Sequence, residues 1–276
     1  NKDNVIIGYE NKELLYVGNK FLEYNRALNN LQLPNLKEVG DDFLEKNECL
    51  QFLNLPSLEL TGDRFLFNNE IICDFKASKL KEVGDDFLGK NESLQLINLP
   101  ELETVENNFL RNNEILSSVE APKLRVVGNS FLHNNQNLKS INLPQLQLVN
   151  ANFLHENKIL NKIQAPELKS VGMQFLYSNE ELKSLDLPRL LIVYDFFMTN
   201  NKKLPYVNLP SLQKIERGFL CKNTGLTKLY LPNLELIDPR SFLGEDLKQC
   251  ELEAPKLDEK TRNSLPKRIV ISTNKF

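Results

Sequence analysis

The chain has 276 residues, 41% of them apolar, and 34 basic side chains nearly balance 37 acidic ones for a net charge of −3. The charges are spread along the whole length, which argues against the clustered basic stripe of a nucleic-acid binder, and no apolar run approaches the ~20 residues of a membrane span. No nucleophile elbow, phosphate loop or metal-binding helix motif occurs, so neither an enzyme nor a cofactor is expected.

One period governs the chain. Leu36–Pro56 reads LKEVGDDFLEKNECLQFLNLP, and Leu80–Pro100 reads LKEVGDDFLGKNESLQLINLP. Phe stands at 21 and every 22 residues thereafter to 219, and Asn follows four places later each time, from Asn25 to Asn223. Self-similarity at such a period predicts a solenoid, in which each turn packs only on its neighbours.

Taken in order, residues 1–10 match no repeat and are expected to cap the first turn. Their start, NKDNVIIGYE, lacks both an initiator Met and a signal-peptide pattern and reads as processed or truncated. A weaker copy follows, with Lys12 where later copies carry Pro, and from Pro34 the full unit appears. Leu53 and Leu55 flank Asn54 in the alternation of a half-buried strand, one per turn and always in the same direction, which requires a parallel sheet. Pro follows the strand at 34, 56, 100, 122, 144, 166, 188, 210 and 232, ending the ladder; only Ser78 interrupts. Leu58 and Thr61 then point inward. Gly40, Gly62, Gly84, Gly128 and Gly172 mark a bend through positive φ or close packing.

The next segment, DDFLEKN, carries acidic residues early and predicts a short helix, its start favoured by the helix dipole and Phe43 and Leu44 as buried anchors. Asn47 closes it, where Asn tolerates the left-handed conformation. The column Asn47, Asn69, Asn91, Asn113, Asn135, Asn157, Asn179 and Asn201 reads as a structural ladder satisfying backbone groups, and the Phe column reads as core. Ala77, Ala121 and Ala165 alternate with Leu55, Leu99, Leu143 and Leu187, suggesting duplication of a two-turn unit. Late turns drift: Phe196, Phe197 and Met198 replace the usual pair, Pro239 comes with an inserted residue that moves the next Phe to 242, and Asp246 takes the Asn place. Residues 258–276, with one or two helical turns and a final strand in Arg268–Ser272, read as the C-terminal cap. The four cysteines sit in different columns without a CxxC, and Cys49 and Cys73 fit a disulfide poorly, so free thiols are expected.

Written as Leu-x-x-Leu-x-Leu-Pro-x-Leu-x-x-Val-Gly-x-x-Phe-Leu-x-x-Asn, the unit resembles the leucine-rich repeats of the BspA-like, Treponema-type class over about residues 11–257. That class carries Ala-Phe where this chain has Phe-Leu, and Cys where it has Asn, and most turns here are one residue shorter. The resemblance implies a single α/β solenoid, residues 1–276, of about eleven repeats, with a parallel sheet on the concave face and short helical segments on the convex face. It also implies a bacterial surface or secreted protein that adheres to or recognises host proteins; the alternative is the recognition module of an effector delivered into the host cytosol.

Function on such a scaffold is expected on the outward residues of the strands. Most are small and polar. Tyr206, Asn208, Lys228 and Tyr230 form an aromatic and basic patch in adjacent turns, of the kind enriched at binding hot spots, with Asp186 one turn before it, and Phe52 and Leu96 lie two turns apart on the same face. The expected partner is a host or matrix protein, bound by a monomer; neither nucleic acid nor a membrane is. His133 and His155 share a column but have no carboxylate or thiol placed to complete a tetrahedral metal set. Asp41-Asp42 and Asp85-Asp86 lack the alternating oxygen ligands of a calcium loop.

Overall fold

The computed structural model describes residues 6–238, 240–241 and 249–272, so that Pro239, Phe242 and Asp246 lie outside the described residues. The chain falls into two compact units, Asn1–Leu138 and Lys139–Phe276. Both are β-solenoids whose successive turns are related by 22 residues.

In the first unit each turn opens with a three-residue strand: Gly8–Glu10, Asn30–Gln32, Phe52–Asn54, Asp74–Lys76, Leu96–Asn98 and Ser118–Glu120. The middle residue of each points inward, as alternation requires, and Leu31, Leu53, Phe75, Ile97 and Val119 are buried. Gly8–Glu10 pairs in register with Asn30–Gln32, so the stretch expected to be a cap holds a strand of the same ladder. The strands pair parallel two at a time: the first with the second, the third with the fourth, the fifth with the sixth. In the last two pairs a turn closing on Leu55 or Leu99 partners the following turn, closing on Ala77 or Ala121, which gives the Leu/Ala alternation of the sequence a structural counterpart. The second unit groups its strands differently. Ser140–Asn142, Lys162–Gln164 and Ser184–Asp186 form one ladder, while Tyr206–Asn208, Lys228–Tyr230, Cys250–Glu253 and Ile269–Ile271 form another.

Pro sits at the second position of a tight turn, in which Leu58 N–H donates to the Leu55 carbonyl at 3.1 Å, the place where its fixed φ is pre-organised. Beyond this turn comes a second strand that the sequence reading did not foresee. It is only two residues long, as in Leu60–Thr61 and Glu82–Val83, yet it forms the more continuous parallel sheet: six such strands pair in succession in the first unit, from Tyr16–Val17 to Val126–Val127. Gly62 follows with an ordinary φ. A Cβ there would come within 2.5 Å of Asp41 Oδ1 and 2.7 Å of the Gly40 carbonyl carbon, so close packing between turns decides the residue.

The short helices expected on the far side of the turns do not form. Among the described residues the α-helix is Glu259–Ser264, N-capped by Asp258, whose Oδ1 accepts the Thr261 N–H at 2.7 Å. In place of the expected helix, alternate residues take φ between 49° and 64°, as at Asp42, Leu44 and Lys46, so no helical run can build. The chain instead hydrogen-bonds to both neighbouring turns: Asp42 N–H donates to the Asp63 carbonyl at 2.8 Å, Leu44 N–H to the Phe21 carbonyl at 3.0 Å, and Lys46 N–H to the Phe67 carbonyl at 2.9 Å. The early acidic residues therefore do not serve a helix dipole. Asp41 Oδ1 accepts the Asp63 N–H and Asp63 Oδ1 accepts the Asp85 N–H, a side-chain ladder that links turns.

Inside this segment the Phe rings stack. From Phe21 to Phe109 and on to Phe131, neighbouring centroids lie 5.2–5.6 Å apart with interplanar angles of 2–12°. In the second unit Phe153, Phe175, Phe197 and Phe219 repeat the arrangement at 5.2–5.5 Å. Phe109 is fully buried between Phe87 and Phe131. Truncation of Phe109 to Ala should destabilise the chain by about 3–5 kcal/mol in urea denaturation, and a loss below about 1 kcal/mol would show that the stack does not hold the turns together.

Candidate functional site

The outward residues of the last strands in the second unit converge. Register sets Tyr206 beside Lys228 and Asn208 beside Tyr230, then Lys228 beside Glu251 and Tyr230 beside Glu253. The two tyrosines thus stand diagonally across adjacent turns. With Glu251, Glu253 and Leu229 they line a hollow of about 420 Å3. Tyr206 is 44% exposed and Tyr230 half-buried. Lys228 Nζ lies 3.7 Å from Glu251 Oε2. Glu253 Oε2 is buried and has no hydrogen-bond partner among the described residues. Burial, with Tyr230 and Glu253 nearby, raises the pKa of the Tyr206 hydroxyl.

The other residues singled out from sequence do not join this hollow. Asp186 ends a strand whose ladder stops before Tyr206–Asn208, and it is not part of the lining. Phe52 and Leu96 belong to the first unit, 61% and 57% exposed. Leu96 borders a second hollow of about 420 Å3, which opens between Asp74–Lys76 and Leu96–Asn98, strands of different pairs, where Ala77 and Ser78 stand in place of Leu and Pro. Sequence reasoning saw the tyrosines and missed the two glutamates as partners of the site, although their outward positions were legible.

A further exposed group lies on the short-strand side of the second unit, where Met173, Tyr194 and Phe196 are 39–55% exposed. Phe196 takes φ 59°, and Gly218, with φ 73°, makes room for it: a Cβ at Gly218 would approach the ring to 2.8 Å. In the first unit Glu23, Asp42 and Glu45 bring carboxylate oxygens within 4.8 Å of one another. Lys20 and Arg64 lie among them, Arg64 Nε 2.5 Å from Asp42 Oδ1, and this contact holds the Asp42 carboxyl below its usual range. The cluster is an ion-pair network. His155 packs edge-on against Tyr177 in the second unit, and His133 belongs to the first.

The Asn column is buried throughout, each member from Asn47 to Asn223 fully inaccessible. In the first unit the N–H groups of Asn47, Asn69, Asn91 and Asn113 donate to the Oδ1 of Asn69, Asn91, Asn113 and Asn135, at 2.7–2.9 Å. Asn157, Asn179 and Asn201 donate likewise to Asn179, Asn201 and Asn223 in the second. The amide nitrogens reach back as well, Asn69 Nδ2 to the Leu44 carbonyl at 3.0 Å and Asn201 Nδ2 to the Leu176 carbonyl at 2.9 Å. The left-handed conformation expected of these residues falls one position earlier, at Lys46, Asn68 and Asn112.

The family profile described as the BspA type leucine rich repeat region matches in six copies, over residues 15–139, 63–167 and 125–249. This chain belongs to the BspA-type leucine-rich repeat family. Its fold is shared with a leucine-rich repeat protein from Bacteroides ovatus, at a TM-score of 0.57 and 15% identity, over 97% of this chain and 83% of that one. It is also shared with the pneumococcal vaccine antigen PcpA, at 0.56 and 14%, over 96% of this chain and 72% of that one. A search of curated proteins finds no significant match.

In this BspA-type chain the Asn ladder occupies the column where the sequence pattern of the class carries Cys. Asn69 accepts the Asn47 N–H and donates to the Leu44 carbonyl, so Asn69→Leu would strand two buried backbone groups. Each such group costs about 1–3 kcal/mol, and the variant should lose about 2–5 kcal/mol in chemical denaturation. An unchanged midpoint would show that the amides are passive.

Proposed function

We propose that this chain is a non-catalytic protein-binding module of a bacterial surface or secreted protein, engaging a host or matrix protein through the long-strand face of its second unit. Membership of a repeat family built for protein interaction supports the binding role. The likeness in fold to a pneumococcal vaccine antigen is consistent with a surface location.

The observation that carries the reading is the pair Tyr206 and Tyr230 around a hollow, beside Lys228, Glu251 and Glu253, on a strand face whose outward residues are otherwise mostly polar. Amphipathic rings bury much area at little entropic cost, and such residues concentrate binding energy. The site rests on strands fixed from beneath by Val207, Leu229 and Leu252, all buried, which gives a partner a pre-organised surface.

The test is capture by the immobilised chain from a panel of matrix proteins and from host-cell lysate, with Tyr206→Ala/Tyr230→Ala alongside. The double variant should keep its melting temperature and bind a matrix or cell-surface partner at least about tenfold more weakly, since one hot-spot truncation removes roughly 2 kcal/mol. Undiminished capture would remove this face from consideration, and capture of a cytosolic protein alone would overturn the surface assignment.

A further inference from the structure

Resting on the reading of this face as partner-binding, we propose that the hollow between Tyr206, Tyr230 and Glu253 receives a cation, the side chain of a lysine or arginine on the bound protein. Its lining holds one lysine against two glutamates. Lys228 and Glu251 stand 3.7 Å apart and largely offset each other. Glu253 forms no ion pair with any described residue, and its Oε2 is withdrawn from solvent without a hydrogen-bond donor. Glu253 as a residue is only half-buried and lines the hollow, so its carboxylate charge is met best by a group that enters there with positive charge and N–H donors.

The tyrosines add the second requirement. Aromatic faces carry negative quadrupole potential and attract ammonium and guanidinium groups, more strongly where water is thinned. Tyr206 and Tyr230 flank the hollow diagonally, with Glu253 beside Tyr230 in register. The Tyr206 hydroxyl pKa is raised, first by burial and then by unfavourable interaction with Tyr230 and Glu253, so the last two add to the negative character of the lining. An anionic ligand would meet two carboxylates, and a purely apolar one would leave the Glu253 charge without a counter-ion. A volume of about 420 Å3 has room for the aliphatic stem as well as the charged head, and such stems lie readily along ring faces.

The chain has seven tyrosines, so labelled tyrosine rings give a readable NMR spectrum. The full chain would be titrated with N-acetyl-lysine methylamide, the arginine analogue, the neutral norleucine analogue and the glutamate analogue. The basic probes should shift the Tyr206 and Tyr230 ring signals, at least about tenfold more tightly than the norleucine and glutamate probes, and more weakly as salt rises. Glu253→Gln, which keeps the shape, should weaken the basic probes about tenfold, and Tyr230→Leu should weaken them too, whereas Tyr230→Phe should not. Equal shifts from norleucine, tighter binding of glutamate, or an unchanged response in Glu253→Gln would overturn the proposal. A captured protein lost in Tyr206→Ala/Tyr230→Ala but fully retained in Glu253→Gln would leave the binding face standing and remove the cation from it.

Discussion

Main-chain hydrogen bonding between turns constrains everything else in this molecule. On each of the three segments of a turn, N–H groups find carbonyls about one repeat away: Leu55 to Lys76, Gly62 to Val39, Leu44 to Phe21. A turn that differed in length by one residue, without looping that residue out, would set donors opposite the wrong carbonyls, and buried backbone groups without partners are costly. Backbone satisfaction therefore favours turns of equal length, and the repeated side chains follow from that regularity. Where the spacing reaches 23 residues, between Lys228–Tyr230 and Glu251–Glu253, the two strands still pair in full register.

The segment with alternating left-handed residues carries this constraint furthest. Two adjacent apolar residues, Phe43 and Leu44, are both fully buried, with Asp42 and Glu45 close to it. In an α-helix neighbouring side chains diverge by about 100°, so burying the four consecutive residues Asp42 to Glu45 would need partners almost all the way round a helix. Burial of those acidic neighbours is not written in the sequence, but the enrichment of Asn and Asp at Asp86, Asn108, Asn152, Asn68 and Asn112 is, residue types that enter the left-handed region most easily. Acidic residues followed by apolar ones imitate a helix start closely enough to mislead. Leu44 and its equivalents accept a costlier conformation, and inter-turn bonds with the stacked Phe rings offset it.

Legibility of the candidate site divides along the same line. Alternation in a strand fixes which side chains face outward, so Tyr206, Lys228 and Tyr230 could be named from spacing alone. What spacing does not carry is depth. Whether outward residues stand apart or enclose a volume depends on how strands group, and the long strands pair by twos in one unit and by threes and fours in the other. Asp186 and Tyr206 look like neighbours in the sequence, yet the ladder stops between them. Glu253 looks like one more polar residue, yet one of its oxygens is withdrawn from water.

A repeat scaffold also changes what an exceptional side chain means. Because folding energy resides in the inward columns and in bonds between turns, an outward residue contributes little to stability and can vary at small cost. A buried, unpartnered carboxylate oxygen is different, since it lowers the stability of the unliganded turn. Any group that restores its missing interaction binds the folded state alone and so stabilises that turn in proportion to its affinity. A cation taken into the hollow, as proposed, would couple binding to local stability at the last strands of the second unit through Glu253.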